Sequence, residues 1–280
     1  MRRYEFLVLI LVSLTVFSAG CVKNGSTPAL GKLLEVTLDA PESVFMGENF
    51  SVYLDINNLG NKTYNAVDAS FFDTDGFEKL SPCKATWDIK KKEIKILECK
   101  LRYPISNIEK STIRNIYASV SYDGYLNSAA QLIVLSEKEY RLREKTNSLP
   151  SITNLFTKRN DELEAIVRFK DNPFIIKPAE KQTYMYITIK NVGDGYIDKI
   201  DVDKLSISLS YGGHTIQVNP RRDCGLNDTD YLYINGDTFP QITCKIGPFP
   251  VNTNYLNVIS IINLWYRYDL RRSAQIKIEV

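Results

Sequence analysis

The chain is short of histidine. His214 is the only one among 280 residues, so a histidine-based nucleophile or a catalytic zinc would rest on that side chain alone. That counts against most hydrolase chemistries. Charge of one sign is also missing: 35 Lys and Arg face 33 Asp and Glu, for a net charge of +2. This leaves no basic footprint for nucleic acid. No Cys-x-x-Cys or Cys/His spacing among the five cysteines marks a metal site. The helical period is absent too, which argues against alternating βα units. What is present, 44% hydrophobic and 24% charged residues, describes a globular chain long enough for one large or two ordinary domains.

The longest apolar run stands at the start. Met1-Arg2-Arg3 is basic, residues 6–17 are apolar and uncharged, and Ser18-Ala19-Gly20 places small residues before Cys21. That order reads as an export signal. The cysteine after Ala-Gly resembles a lipoprotein signal, which implies cleavage before Cys21 and lipid on it. The other reading is an uncleaved helix over residues 6–22, at the short end of what crosses a bilayer. Both tether the remainder to the outer face of a membrane. Residues 1–21 are thus signal or anchor, and residues 22–32, rich in Gly, Pro and Ser, are a flexible tether. In an exported chain the other cysteines, Cys83, Cys99, Cys224 and Cys244, read as two disulfides, with three pairings open.

From residue 33 the pattern has period two. Leu34, Val36 and Leu38 alternate with charged or polar residues, as do Phe50, Val52, Leu54 and Ile56, and each set predicts a strand with one buried face. Further strands are expected around residues 69–72, 85–89, 93–101, 116–122 and 131–135, with Tyr122-Asp123-Gly124-Tyr125 closing a hairpin. Residues 136–161 are charge-rich and then turn-rich, and read as a connection with a short helix near 152–156. Alternation resumes at Ala165, Val167 and Phe169 and continues to the end, through Met185-Ile187-Ile189 and Leu205-Ile207-Leu209. Strands at this spacing suggest β-sandwiches.

The two halves repeat. Residues 52–60 match residues 185–193, Cys99-Lys100-Leu101 matches Cys244-Lys245-Ile246, Tyr122-Asp123 matches Tyr268-Asp269, and residues 126–132 match 270–276. The order is the same in both copies, and Cys83 falls in register with Cys224. Each copy then closes its own bridge, Cys83–Cys99 and Cys224–Cys244, each worth about 3 kcal/mol on loop entropy. The Asn-Leu-Gly and Asn-Val-Gly steps sit where a strand turns, and glycine is expected there to adopt a positive φ.

Gly47-Glu48 followed by the alternation to Asn57-Asn58-Leu59-Gly60 resembles the start of the cell-adhesion-related Ig-like domains of bacterial and archaeal surface proteins. The second copy is similar from Pro178-Ala179-Glu180 to Asn191-Val192-Gly193, with Ala179 in place of the glycine. The stretch from Asn191 to Gly195 is also similar to a strand of archaeal membrane-anchored proteins. The resemblance implies Ig-like sandwiches at a cell surface and carries no catalytic residue.

Candidate chemistry is sparse. Asp194, Asp198, Asp201 and Asp203 gather near one turn, and Asp223, Asn227, Asp228 and Asp230 near another; hard oxygen donors on sandwich loops hold calcium in some proteins, although neither cluster has EF-hand spacing and turn chemistry explains both. Trp265, Tyr266 and Tyr268 with Tyr231 and Tyr233 offer a sugar-stacking platform, against ordinary strand packing. Asn-x-Ser/Thr sequons begin at Asn24, Asn49, Asn61 and Asn227. His214, beside Gly212-Gly213, reads as a hairpin residue rather than a base.

The resulting expectation is an all-β chain of two tandem Ig-like sandwiches, residues 33–135 and 162–280, joined by 136–161. Its role is binding or structure in the cell envelope, outside the membrane. Its expected partners are membrane lipid through the anchor and an envelope protein or glycan, without cofactor, nucleic acid or catalysis. A solute-binding lipoprotein is the first alternative and an envelope enzyme the second.

Overall fold

A computed structural model describes residues 34–105, 110–250 and 254–280. The export segment with Cys21, and Asn24, lie outside them. The described chain is built of antiparallel sheets, as the alternation predicts. In the first half β1 (Leu34–Asp39), β3 (Asn49–Asn58), β7 (Ile94–Arg102) and β5 (Glu78–Lys79) form one sheet in that order. In the second half β17 (Ile242–Ile246), β12 (Thr183–Asn191), β10 (Leu163–Phe169) and β9 (Leu155–Arg159) do the same. The repeat is visible in the register: Val52 faces Cys99 in the first half and Met185 faces Cys244 in the second. Period two decides which side is buried. Val52, Leu54 and Ile56 are fully enclosed, and so are Met185, Ile187 and Ile189, each such side chain contributing about 1.5–3 kcal/mol of burial.

The opposing layer belongs to both halves. Six strands of one eight-stranded sheet run in the order β15 (His214–Val218), β14 (Leu205–Tyr211), β18 (Tyr255–Glu279), β8 (Thr112–Ser136), β4 (Tyr64–Asp73), β6 (Lys84–Ile89), and two short strands join it off this path. Its centre is the antiparallel β8–β18 pair, which runs from Tyr255–Leu135 to Ile278–Thr112. Tyr122 stands opposite Tyr268, so the residues that the repeat equates meet, and a pseudo-twofold axis passes close to them. Each long strand serves both halves. The first part of β8 pairs with β4, while its end pairs in parallel with β11 (Phe174–Ile176) of the second half. Likewise β18 pairs first with β14 and ends against β2 (Ser43–Phe45) of the first half. The halves have exchanged their last strand segments.

This corrects the hairpin expected at Tyr122-Asp123-Gly124-Tyr125. The chain runs straight through it. Gly124 is there for space: a Cβ on it would lie 2.2 Å from Cε2 of Tyr266, its partner on β18. The turn glycines are corrected in the same way. Neither Gly60 nor Gly193 has a positive φ. A Cβ on Gly193 would lie 2.1 Å from the Tyr268 hydroxyl, and one on Gly195 would lie 2.6 Å from the Asp269 carbonyl, so both admit a close backbone approach. In the first half the turn is held by Asn58, fully buried. Its Nδ2 donates to the Lys62 and Lys90 carbonyls at 2.8 Å, and its Oδ1 accepts from Gly60 N at 3.0 Å.

The connection also differs from expectation. The helix is α1 (Glu137–Lys145), on the charge run, and residues 155–159 are strand β9. Ser136 caps α1 by accepting from Glu139 N, and the Arg141–Glu137 and Arg143–Glu139 pairs stand one turn apart. Leu155 to Arg159 instead finds β10 as a partner. The bridges Cys83–Cys99 and Cys224–Cys244 form as the repeat predicts.

Candidate functional site

Odd-numbered residues of β18 point away from the core, because Tyr266, Tyr268 and Leu270 point into it. Trp265, Arg267, Asp269 and Arg271 therefore share the outer face of the central sheet, with Tyr125, Asp123 and Ser121 opposite the first three. A ribbon stands beside this face. It consists of β13 (Lys199–Asp201) and β16 (Tyr231–Tyr233), paired antiparallel. Ile200 and Leu232 anchor it in the core, which leaves Lys199, Asp201, Tyr231 and Tyr233 on its other side. Tyr196 fastens the ribbon's approach to β18 by two backbone bonds with Asp269, at 2.7 and 2.9 Å. Arg221, on the short helix α2 (Pro220–Asp223), ties the two excursions together by pairing with Asp203 and Asp230, each at 3.1 Å.

Between face and ribbon lies a cleft of about 460 Å³, within the usual range for a small-molecule site. Trp265, Tyr231 and Tyr196 present exposed rings to it, at 45%, 39% and 59% exposure. Its charges are balanced: Asp123, Asp198, Asp201 and Asp269 against Lys199, Lys204, Arg267 and Arg271. Half of them, the two arginines with Asp123 and Asp269, are matched internally. Arg267 bridges Asp68 and Asp123, Arg271 pairs with Asp269 at 2.7 Å, and Ser121 donates to Asp269 at 3.1 Å. The Arg271 guanidinium lies 4.8 Å from the Tyr196 ring centre, and the Lys199 ammonium 3.8 Å from that of Tyr231.

Behind the cleft, at the pseudo-twofold junction, Tyr122 and Tyr266 donate their hydroxyls to the buried Glu162, at 3.1 and 3.0 Å. Asn160 positions this carboxylate, its Oδ1 accepting from Glu162 N and Leu163 N. Burial, then the nearby Glu162, pushes the Tyr122 and Tyr266 hydroxyls far up. Burial likewise raises Asp161, with the neighbouring Glu162 adding to it. The Glu162 node is enclosed, so its chemistry is that of a structural junction.

The aromatic platform is split by the structure. Trp265 and Tyr231 face the cleft and Tyr233 is exposed beside it, but Tyr268 is buried, its ring tilted against that of Tyr122 at 5.7 Å. The Asp residues scatter. Asp198 and Asp201 reach the cleft, Asp194 pairs with Arg272 at 3.5 Å, and Asp228 is exposed. Asp223 binds Arg222 at 2.8 Å, a hydrogen bond that lowers its pKa. Among the described residues no group of three or more His, Cys, Asp or Glu side chains comes together. His214 is exposed at the start of β15, next to Gly212 and Gly213, whose φ values are positive. Asn49, Asn61 and Asn227 are all exposed. Among the described residues no helix is long and apolar enough to cross a membrane. Sequence reasoning missed Tyr196, Arg267, Arg271 and Lys199. The alternation of β18 signals Arg267 and Arg271, whereas nothing local signals the ribbon.

No family model matches the chain, and no curated protein matches it. Among solved structures it is similar to red sea bream transglutaminase (9% identity, TM-score 0.24), covering 88% of this chain and 30% of that one. It is also similar to the secreted serine protease VesC from Vibrio cholerae (11% identity, TM-score 0.23), covering 87% of this chain and 51% of that one. The chain thus spans about a third to a half of these proteins' length, and likeness at this level carries no argument about activity.

Proposed function

We propose that this chain is a membrane-tethered, extracytoplasmic binding protein of a bacterial or archaeal cell envelope, its paired Ig-like halves serving as a rigid frame. The observation that carries the binding role is the cleft, where exposed aromatic rings stand among salt-bridged polar groups on rigid strands. The export signal and the two disulfides support a place outside the membrane. Binding is favoured over catalysis because the cleft's guanidinium groups are matched by carboxylates and the lone histidine stands on an exposed hairpin.

The test is co-sedimentation of the full chain, extracted in detergent, with isolated cell envelopes. Saturable binding, lost on Trp265→Ala combined with Arg267→Ala, is the expected result. Binding that survives both changes would remove the cleft from the reading, and no binding at all would remove the reading.

A further inference from the structure

We infer that the cleft takes a neutral saccharide; this rests on the binding role proposed above and names its ligand class. Charge is the first ground. A lining with equal numbers of carboxylates and cations, its two arginines paired with Asp123 and Asp269, offers little net field to an anionic or cationic ligand. What it does offer is unused hydrogen-bonding capacity in fixed positions. A carboxylate has about four acceptor sites and a guanidinium five donors. Asp269 spends acceptor sites on Arg271 and Ser121, and Arg267 spends donors on Asp68 and Asp123. Hydroxyl groups, which donate and accept, match such a residue.

The rings are the second ground. Cations sit over Tyr196 and Tyr231. Among the described residues the one aromatic ring against Trp265 is that of Tyr125, tilted and 5.1 Å away, and Trp265 projects from a strand rather than a loop. It is the surface on which the C–H face of a sugar ring stacks. Beyond Trp265 the outer face continues with planar amides. Asn127 Nδ2 and the Tyr125 hydroxyl both donate to Asn263 Oδ1, at 2.6 Å. That flat, uncharged strip extends the cleft and suits a chain of sugars better than a single ring.

Trp265 is one of two tryptophans, so Trp87→Phe makes it the sole reporter. Emission of this full-length protein is titrated with neutral oligosaccharides of glucose, mannose and N-acetylglucosamine, with polygalacturonate and an acidic peptide as contrasts. The expected result is a saturable change with at least one neutral oligosaccharide, unaltered between about 0.05 and 0.5 M salt. By calorimetry, Trp265→Ala weakens that binding about tenfold or more, and Tyr231→Ala, which removes a ring from the facing wall of the cleft, weakens it by less, a second variant that guards against a local fault in β18. Binding only to polygalacturonate or peptide, saccharide binding indifferent to both substitutions, or no binding to any saccharide overturns the inference. If envelope binding still depends on Trp265 and Arg267 while no saccharide binds, the ligand class falls and the binding role stands.

Discussion

The two halves share their buried strands and differ in their connections. In the first half β3 passes to β4 through residues 59–63, and β6 to β7 through residues 90–93. In the second half the corresponding steps are residues 192–204, which carry β13, and residues 219–241, which carry α2 and β16. The repeated positions hold the core: Val52 and Met185, Cys99 and Cys244, Tyr122 and Tyr268 are all buried. The unrepeated excursions build the ribbon and hence one wall of the cleft. A duplicated frame tolerates change where the chain runs over its surface, and that is where a site is placed.

The strongest way to break the comparison is to separate the halves. Residues 1–135 alone lack the end of β18, which pairs with β2 and buries Ile276 and Ile278. The expected outcome is no cooperative unfolding transition for this fragment, restored by co-expression with residues 136–280, as circular dichroism during a urea titration would show. A folded monomeric fragment would mean that Asp123-Gly124 closes the hairpin when Tyr266 is absent, and that strand exchange is optional.

The junction shared by both halves supplies the next largest effect. Tyr64, Tyr122, Tyr266 and Tyr268 are all pushed up from 10.0, foremost by burial, and Tyr268 reaches about 12. In the unfolded chain these hydroxyls ionise near pH 10, while the folded chain keeps them neutral. Their stabilising effect is therefore complete below about pH 10 and is lost as pH rises towards about 12. Unfolding free energy from urea titrations is expected to fall by several kcal/mol between about pH 9 and 11, with tyrosinate absorbance appearing together with unfolding. Tyrosinate forming fully before unfolding would contradict the burial of the junction.

The disulfides sharpen the comparison by their likeness. They close loops of similar length, with sequence separations of 16 and 20. Replacing either pair by alanines is expected to cost about 3 kcal/mol, equal within roughly 1 kcal/mol. A strongly unequal loss in chemical denaturation would show that the excursion around Cys224 relaxes on its own.

These elements also mark what the sequence makes legible. Alternation at residues 52–56 and 185–189 is local and decides burial directly, so strands, repeat and cysteine pairing can all be read from it. The exchange cannot. Tyr-Asp-Gly-Tyr carries the same local signal whether it turns or runs on, and the decision lies with Tyr266 on a distant strand. Helix α1 buries no residue, so it leaves no apolar period to read. Trp265 and Tyr231 are visible as aromatics, but their juxtaposition depends on a ribbon whose pairing is long-range.

The smallest expected difference isolates one repeated residue in its two settings. Asn58 and Asn191 occupy the same place at the ends of β3 and β12. Asn58 is fully buried, and besides holding Lys62 and Gly60 it reaches across to the Lys90 carbonyl, so it clamps two turns at once. Asn191 is half-buried; its Nδ2 donates to the Gly195 carbonyl at 2.8 Å, while the Tyr268 hydroxyl approaches its Oδ1 only to 3.5 Å. In the second half the work of closing the turn has passed to Gly195, whose N–H donates to the Tyr268 hydroxyl at 2.7 Å. Asn58→Ala strands several buried carbonyl and amide groups and is expected to cost about 2–3 kcal/mol, against about 1 kcal/mol for Asn191→Ala. Paired urea titrations decide it. Equal costs would mean that the Asn191–Gly195 bond carries the excursion as firmly as Asn58 carries its short turn, and that the cleft wall is as rigid as the frame.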